Sequence, residues 1–183
     1  MPTPPTILKR KIVARSRLFR VEQLDLRFSN GVERIYERLS GAGYGAVVVV
    51  PLTAAGEILL VREYGAGSHR YHWGLPKGAV DPGEDVLVAA DRELKEEAGH
   101  GARRLCALKR IYLNPFYMER ELDIVLAEDL YPESLPGDEP EPLATMCWPL
   151  ARLSELLARD DVNDAISISA LALARDHLAA RDS

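Results

Sequence analysis

GAVDPGEDVLVAADRELKEEAG, residues 78–99, decides how the rest of the chain is read. Asp81-Pro82-Gly83 is turn chemistry, because proline fixes φ and glycine allows φ > 0. A helix is expected from about Asp85 to Gly99, a natural residue just past a helix end. On a helical wheel Leu87, Ala90, Leu94 and Ala98 form the stripe that faces a core. Glu93 and Glu97, four residues apart, lie together beside that stripe. Glu96 lies further round, within reach of Arg92, and Lys95 points elsewhere, to an exposed face where substitution should change little. Like charges at i,i+4 cost an isolated helix about 0.2–0.5 kcal/mol. Two convergent carboxylates at a half-buried edge suit a hard divalent cation such as Mg²⁺, and carbonyls of the glycine loop could add a ligand.

Outward from this helix the chain reads mostly as strands. GYGAVVVVPL is a continuous β-branched run, expected as a central buried strand, and GEILLVREY as its partner. RLCALKRIYL and ELDIVLAEDL are two further strands. ATMCWPL is a short one, and YPESLPGDEPEPL is a loop. LSELLARD and DAISISALALARDHL read as helices, capped by Ser154 or its neighbours and by Asn163 or Asp164. Upstream, LFRVEQLDLRF and VERIYERL flank Ser29-Asn30-Gly31, a hairpin signal. The alternation of the first run slips near Glu22-Gln23, where a bulge is expected. Residues 1–6 read as a loose tail. The expected fold class is α/β with a mixed sheet. A small N-terminal antiparallel β unit, 1–40, precedes a main domain, 41–183.

The chain has 183 residues, 47% hydrophobic and 28% charged, which suits a globular fold with a substantial core. A net charge of -5 argues against binding a nucleic-acid polymer, which usually takes a basic face. No run approaches the ~20 apolar residues of a membrane span. Cys106 and Cys147 are far apart, outside any CxxC pair, and read as small buried residues in a reducing cytoplasm.

The spacing of residues 78–99 is more specific than its parts. Gly78, Glu84, Arg92-Glu93-Leu94, Glu96-Glu97 and Gly99 stand at eight fixed positions of the Nudix box, and the chain resembles the Nudix hydrolases. A ninth position, normally aliphatic, holds His100, which touches packing at the helix end and not the acids. Strands GYGAVVVVPL and GEILLVREY and the LPKG entry match that family's core. ARSRLFRVE, SNGVERIYER, RELKEE, DLYPESLPGDEPEPL and WPL resemble its ADP-compound branch, the NudE type.

The resemblance implies an α/β/α sandwich and a Mg²⁺-dependent pyrophosphohydrolase, with Mn²⁺ as a possible substitute. Its substrates would be ADP linked to another moiety: ADP-ribose, short diadenosine polyphosphates or NADH. It places Glu93 and Glu97 on the metal, with help from Glu96 and the carbonyl of Lys77. Arg92 would orient the glutamates, and Glu84 would support the box. The general base would be a box acid, Glu96, or a later one, Glu119 or Glu121. Pro115 and Tyr117, with Phe116 between them, match positions tied to ADP-ribose and diadenosine substrates. Tyr64 and Arg62 are further candidates for ligand contact. The N-terminal unit resembles one that forms homodimers. Two other readings stay open: a Nudix enzyme for another nucleoside-diphosphate sugar, and a noncatalytic Nudix-fold module that binds a nucleotide.

Overall fold

Residues 3–41 and 45–181 are described by the computed structural model. They group into two units, Met1–Tyr44 with Tyr112–Glu121, and Gly45–Ile111 with Leu122–Ser183. In chain order the strands are β1 (Thr6–Arg15), β2 (Arg20–Arg27), β3 (Glu33–Ser40), β4 (Ala46–Pro51), β5 (Glu57–Gly65), β6 (Arg70–Gly74), β7 (Lys77–Ala79), β8 (His100–Tyr112), β9 (Met118–Glu119), β10 (Glu121–Pro132) and β11 (Ala144–Pro149). The helices are α1 (Val86–Ala98), α2 (Leu153–Leu157) and α3 (Ala165–Arg181).

The first unit is a sheet of order β1-β2-β3-β9. β2 and β3 form the expected hairpin, turned at Gly31 with φ 82°. Asn30 contributes its side chain, which accepts from the Val32 N–H at 3.1 Å. The bulge expected near Glu22-Gln23 is not in β2. Glu22, Leu24 and Leu26 are buried in strict alternation. The register breaks instead in β1, between Ile7 and Lys9 and between Ile12 and Ala14. Glu22 looks like a slip in the sequence because a charge stands at an inward position, where Arg38 neutralises it at 2.8 Å. β1 itself was not anticipated beyond the tail. All ten of its residues are exposed, so it carries no burial alternation to read.

The second unit is built on β4, whose six residues are all buried. Val48 and Val50, with Ile58, Leu60, Ile124 and Leu126, pack on one side against Leu156 of α2 and Ala170, Leu171 and Ala174 of α3. Val47 and Val49, with Leu59, Val61 and Val125, pack on the other side against Ala89, Ala90, Leu94 and Ala98 of α1. Successive strand residues point to opposite faces, so one β-branched run serves two cores and gives the α/β/α sandwich. β4 pairs parallel to β10 and antiparallel to β7, while β11, β5 and β6 form an antiparallel sheet. The start of the expected strand, at Gly43-Tyr44, lies outside the described residues.

Asp164 caps α3, accepting from the Ile166 and Ser167 N–H groups. Ser154 lies inside α2 rather than before it, and no side chain caps that helix. Cys106 and Cys147 are both free and exposed, contrary to the expected burial, because each sits on an outward strand position. No helix among the described residues is long and apolar enough to cross a membrane.

Candidate active site

The box helix α1 begins and ends where local chemistry dictates. Asp85, in extended conformation, accepts from the Leu87 N–H at 2.8 Å, and Gly99, at φ 66°, returns its N–H to the Leu94 carbonyl. Leu94 is fully buried, a contribution of about 1.5–3 kcal/mol. That packing fixes the helix rotation and brings Glu93 and Glu97 to a buried edge, 8% and 7% exposed. Leu87, expected in the apolar stripe, is only half buried at the first turn. Gly78 is required for contact rather than conformation. A Cβ there would stand 2.1 Å from the Glu93 carboxyl carbon.

Arg92 organises the acids. Its Nε and Nη2 donate to the two Glu84 oxygens, each at 3.0 Å, and Nη2 also donates to the Ala79 carbonyl at 2.8 Å. Nη1 donates to Glu93 at 2.7 Å and Glu96 at 3.1 Å. All five guanidinium N–H groups are thereby used, leaving none for a substrate phosphate. Glu84 also accepts from the Asp81 N–H at 2.9 Å, which locks the turn to the helix. Its carboxyl is held below the usual range, first by Arg92.

Glu97 has less support. One oxygen accepts from the Lys77 N–H at 3.2 Å. Burial pushes its carboxyl up to about 8, against the pull of the Lys77 ammonium and N–H, and the charges of Glu63 and Glu139 add to the rise. Burial likewise raises Glu93, though Arg92 opposes it. Burial holds both carboxyls above their normal range in spite of Arg92 on Glu93 and Lys77 near Glu97. A hard cation is the group that fits an all-oxygen donor set of this kind. Among the described residues no three acidic or imidazole side chains already converge at ligand spacing. Each carboxylate is turned instead to its nearest donor, Arg92 or the Lys77 N–H. The Lys77 ammonium is ion-paired with Glu63.

These groups share a cleft of about 430 Å³ within the second unit. Glu93, Glu96, Glu97, Arg92 and Lys77 line it. So do Glu63 of β5 and Asp138 and Glu139 of the loop after β10, which sequence reasoning did not single out. The signal for Glu139 was its place in an acid- and proline-rich loop, which reads equally well as a solvated one. Arg62 and Tyr64 flank Glu63 on β5. Arg62 lies over the Tyr71 ring at 5.4 Å, and Tyr64 meets that ring edge-on at 5.7 Å.

The stretch 113–121 belongs with the first unit. Phe116 is 87% and Tyr117 53% exposed, and Pro115 is exposed beside them. Glu119 is ion-paired at 2.8 Å to Arg38, the same arginine that neutralises Glu22. Glu121 accepts from the Tyr112 hydroxyl at 2.6 Å.

Comparison with known proteins gives a consistent picture. Residues 5–38 match a family model described as the NudE-type Nudix hydrolase N-terminal domain, and residues 44–171 match the NUDIX domain. The chain is 52% identical over 174 residues to the Escherichia coli (strain K12) protein named ADP compounds hydrolase NudE, covering 95% of this chain and 93% of that one. It is 29% identical over 164 residues to the ADP-ribose pyrophosphatase of Bacillus subtilis (strain 168), covering 86% and 88%. A crystal structure of an ADP compounds hydrolase superposes with TM-score 0.92 at 50% identity, covering 99% of this chain and 97% of that one.

Proposed function

The chain belongs to the Nudix hydrolase family, enzymes that cut pyrophosphate bonds, and from that premise we propose that it hydrolyses ADP linked to another moiety, releasing AMP and a second phosphorylated product. ADP-ribose, short diadenosine polyphosphates and NADH are the proposed substrates. The observation that carries this reading is the cleft itself, where Arg92 gathers Glu84, Glu93 and Glu96 beside a buried Glu97. Such a site repels a pyrophosphate unless cations are added.

Mg²⁺ is the proposed cofactor, with Mn²⁺ able to replace it. Glu93 and Glu97 would hold it, with Glu96 and the Lys77 carbonyl. When bound there, the ion would neutralise the pyrophosphate and lower the pKa of an attacking water. The chain's own residues supply the rest. Arg92 fixes the carboxylates, and Glu139, in the same cleft, takes the water's proton. We place the base on Glu139 rather than Glu119 or Glu121, because Glu119 is held by Arg38 and Glu121 by Tyr112. Tyr117, with Pro115 and Phe116, is proposed to meet adenine, and Arg62 and Tyr64 the remainder of the substrate.

The test is a panel of ADP-ribose, diadenosine polyphosphates, NADH and other nucleoside-diphosphate sugars, run with Mg²⁺ and Mn²⁺, with products identified by mass. AMP from the adenine substrates and slower turnover of other sugars is expected. Tyr117→Ala should raise KM for adenine substrates about tenfold with kcat little changed, since stacking is largely uniform binding. Equal turnover of non-adenine substrates would sink the proposed specificity.

We also propose that residues 1–40 form a dimerisation unit for the hydrolase domain 41–183. Ile7, Leu8, Ile12 and Val13 of β1 and Ile35 and Tyr36 of β3 are all exposed on that unit. Apolar strand surface of this kind is normally covered. Light scattering should give a homodimer at micromolar concentration, and a monomer there would overturn the proposal. The two free cysteines suit the reducing cytoplasm, and cell fractionation would check that placement.

A further inference from the structure

Lys95, in the middle of the box helix, is not on an open face. Its side chain is 15% exposed and its ammonium is doubly paired, to Asp91 at 2.8 Å and to Glu133 at 2.7 Å. It lies over the Tyr131 ring at 5.7 Å, and Arg103 lies over the same ring at 4.7 Å. Gly101 makes room for this stack, because a Cβ there would fall 2.5 Å from the Tyr131 ring and 2.7 Å from Lys95 Cε. The helical wheel holds Asp91, four residues back, but misses Tyr131 and Glu133, which arrive more than thirty positions later.

The partners follow one another along the chain toward the cleft. Tyr131 and Glu133 end β10 and start the loop. The Glu133 N–H donates to the Gly99 carbonyl at 3.1 Å, and the Leu135 N–H to the Lys95 carbonyl at 3.2 Å. The Lys95 carbonyl in the last turn and the Gly99 carbonyl just past it thus receive the loop's main chain. Immediately afterwards the loop enters the cleft. Gly137 lies in ordinary contact range of the Glu96 carbonyl, 3.6 Å from where a Cβ would be. That Cβ would stand 2.6 Å from Glu139 Oε2, so the Glu139 carboxylate is folded against Gly137. Past the cleft, Glu141 accepts from the Tyr71 hydroxyl of β6. The segment that carries Glu139 is therefore tied on both sides, and the tie nearest the box is Lys95.

We propose that Lys95 is a positioning residue, which holds the loop at 133–135 against the box helix so that the Glu139 carboxylate stands over Glu93, Glu96 and Glu97. It touches no substrate, and acts through the loop. A charge is needed rather than bulk, because one ammonium must satisfy Asp91 on the helix and Glu133 on the loop at once. This inference rests on the role proposed above for Glu139.

The test combines Lys95→Met, Lys95→Arg and Glu133→Gln with Glu139→Gln, reading kcat, KM, melting temperature and hydrogen exchange of peptides covering 131–137. Lys95→Met should lower kcat about tenfold with KM within about twofold, because small misplacement of a catalytic group is expensive while binding groups are untouched. Lys95→Arg should restore at least half of the lost rate, and Glu133→Gln should reproduce the loss from the loop side. Exchange at 131–137 should quicken without a change elsewhere. Combined with Glu139→Gln, Lys95→Met should cost no further rate, since both act on one group. Unchanged exchange, or a kcat loss that persists in full in the Glu139→Gln background, overturns the inference. Wild-type kcat in Glu139→Gln alone overturns the base assignment instead, and an unaltered Lys95→Met kcat then removes the positioning role as well.

Discussion

Glu97→Gln is expected to lower kcat at least about 100-fold with the fold intact, because the change keeps the shape and removes the charge that would hold the ion. The side chain is only 7% exposed, so nothing else in solvent can replace it. The same substitution has a signature in the metal-free protein. Burial lifts the Glu97 carboxyl from 4.5 to about 8. A carboxyl that keeps its proton more tightly when folded favours the folded state fully below about 4.5 and loses that advantage as pH rises through about 8. Each unit of separation corresponds to about 1.4 kcal/mol. In a chelator, the melting temperature of the parent protein should therefore fall between pH 5 and 8. Saturating Mg²⁺ should remove the fall by supplying the missing positive charge. In Glu97→Gln the metal-free slope should flatten, and Mg²⁺ should no longer raise the melting temperature at pH 8. Normal turnover with normal metal dependence in this variant would sink the assignment of Glu97.

The box could be read from sequence because its determinants are local. Asp85 caps and Gly99 ends α1 through bonds that span a few residues, and the wheel that buries Leu94 necessarily carries Glu93 and Glu97 to its margin. The run at 46–51 announced a strand buried on both faces, and both layers follow from it. What escaped was whatever depends on a distant partner. Glu22 looked like a break in a strand because Arg38, sixteen residues away, makes it an acceptable inward residue. β1 escaped because two register breaks and full exposure erase its period. Lys95 looked like a solvated lysine because Tyr131 and Glu133 cover it from a loop that reads as solvent-facing. That same loop hid Glu139. A cleft is made by chain crossings, so its floor can be legible in one motif while its opposite wall is not.

The opposite wall carries the second large effect. Glu139→Gln is expected to lower kcat about 10²- to 10⁴-fold with KM little changed, the cost of losing a general base. The candidates differ in how committed their carboxylates already are. Glu119 neutralises Arg38, which has Glu22 as its other partner, so its charge is spent on holding the β unit together. Glu121 accepts from Tyr112, which ties the two ends of the 112–121 excursion to each other. Among the described residues no protein cation is ion-paired with Glu139, and its charge is felt at both Glu93 and Glu97. Glu139 lines the same cleft as Glu93 and Glu97, the residues that would hold the cation, and a base for the attacking water would have to stand there. Glu119→Gln and Glu121→Gln should instead lower the melting temperature modestly and change kcat less than about threefold, as expected for loss of a surface ion pair or one hydrogen bond. The three single variants, compared at saturating Mg²⁺ and ADP-ribose, decide among the carboxylates. Full activity in Glu139→Gln together with a collapse in Glu119→Gln or Glu121→Gln would return the base to the stretch of chain that belongs with the N-terminal unit. Full activity in all three would leave Glu96 of the box as the proton acceptor.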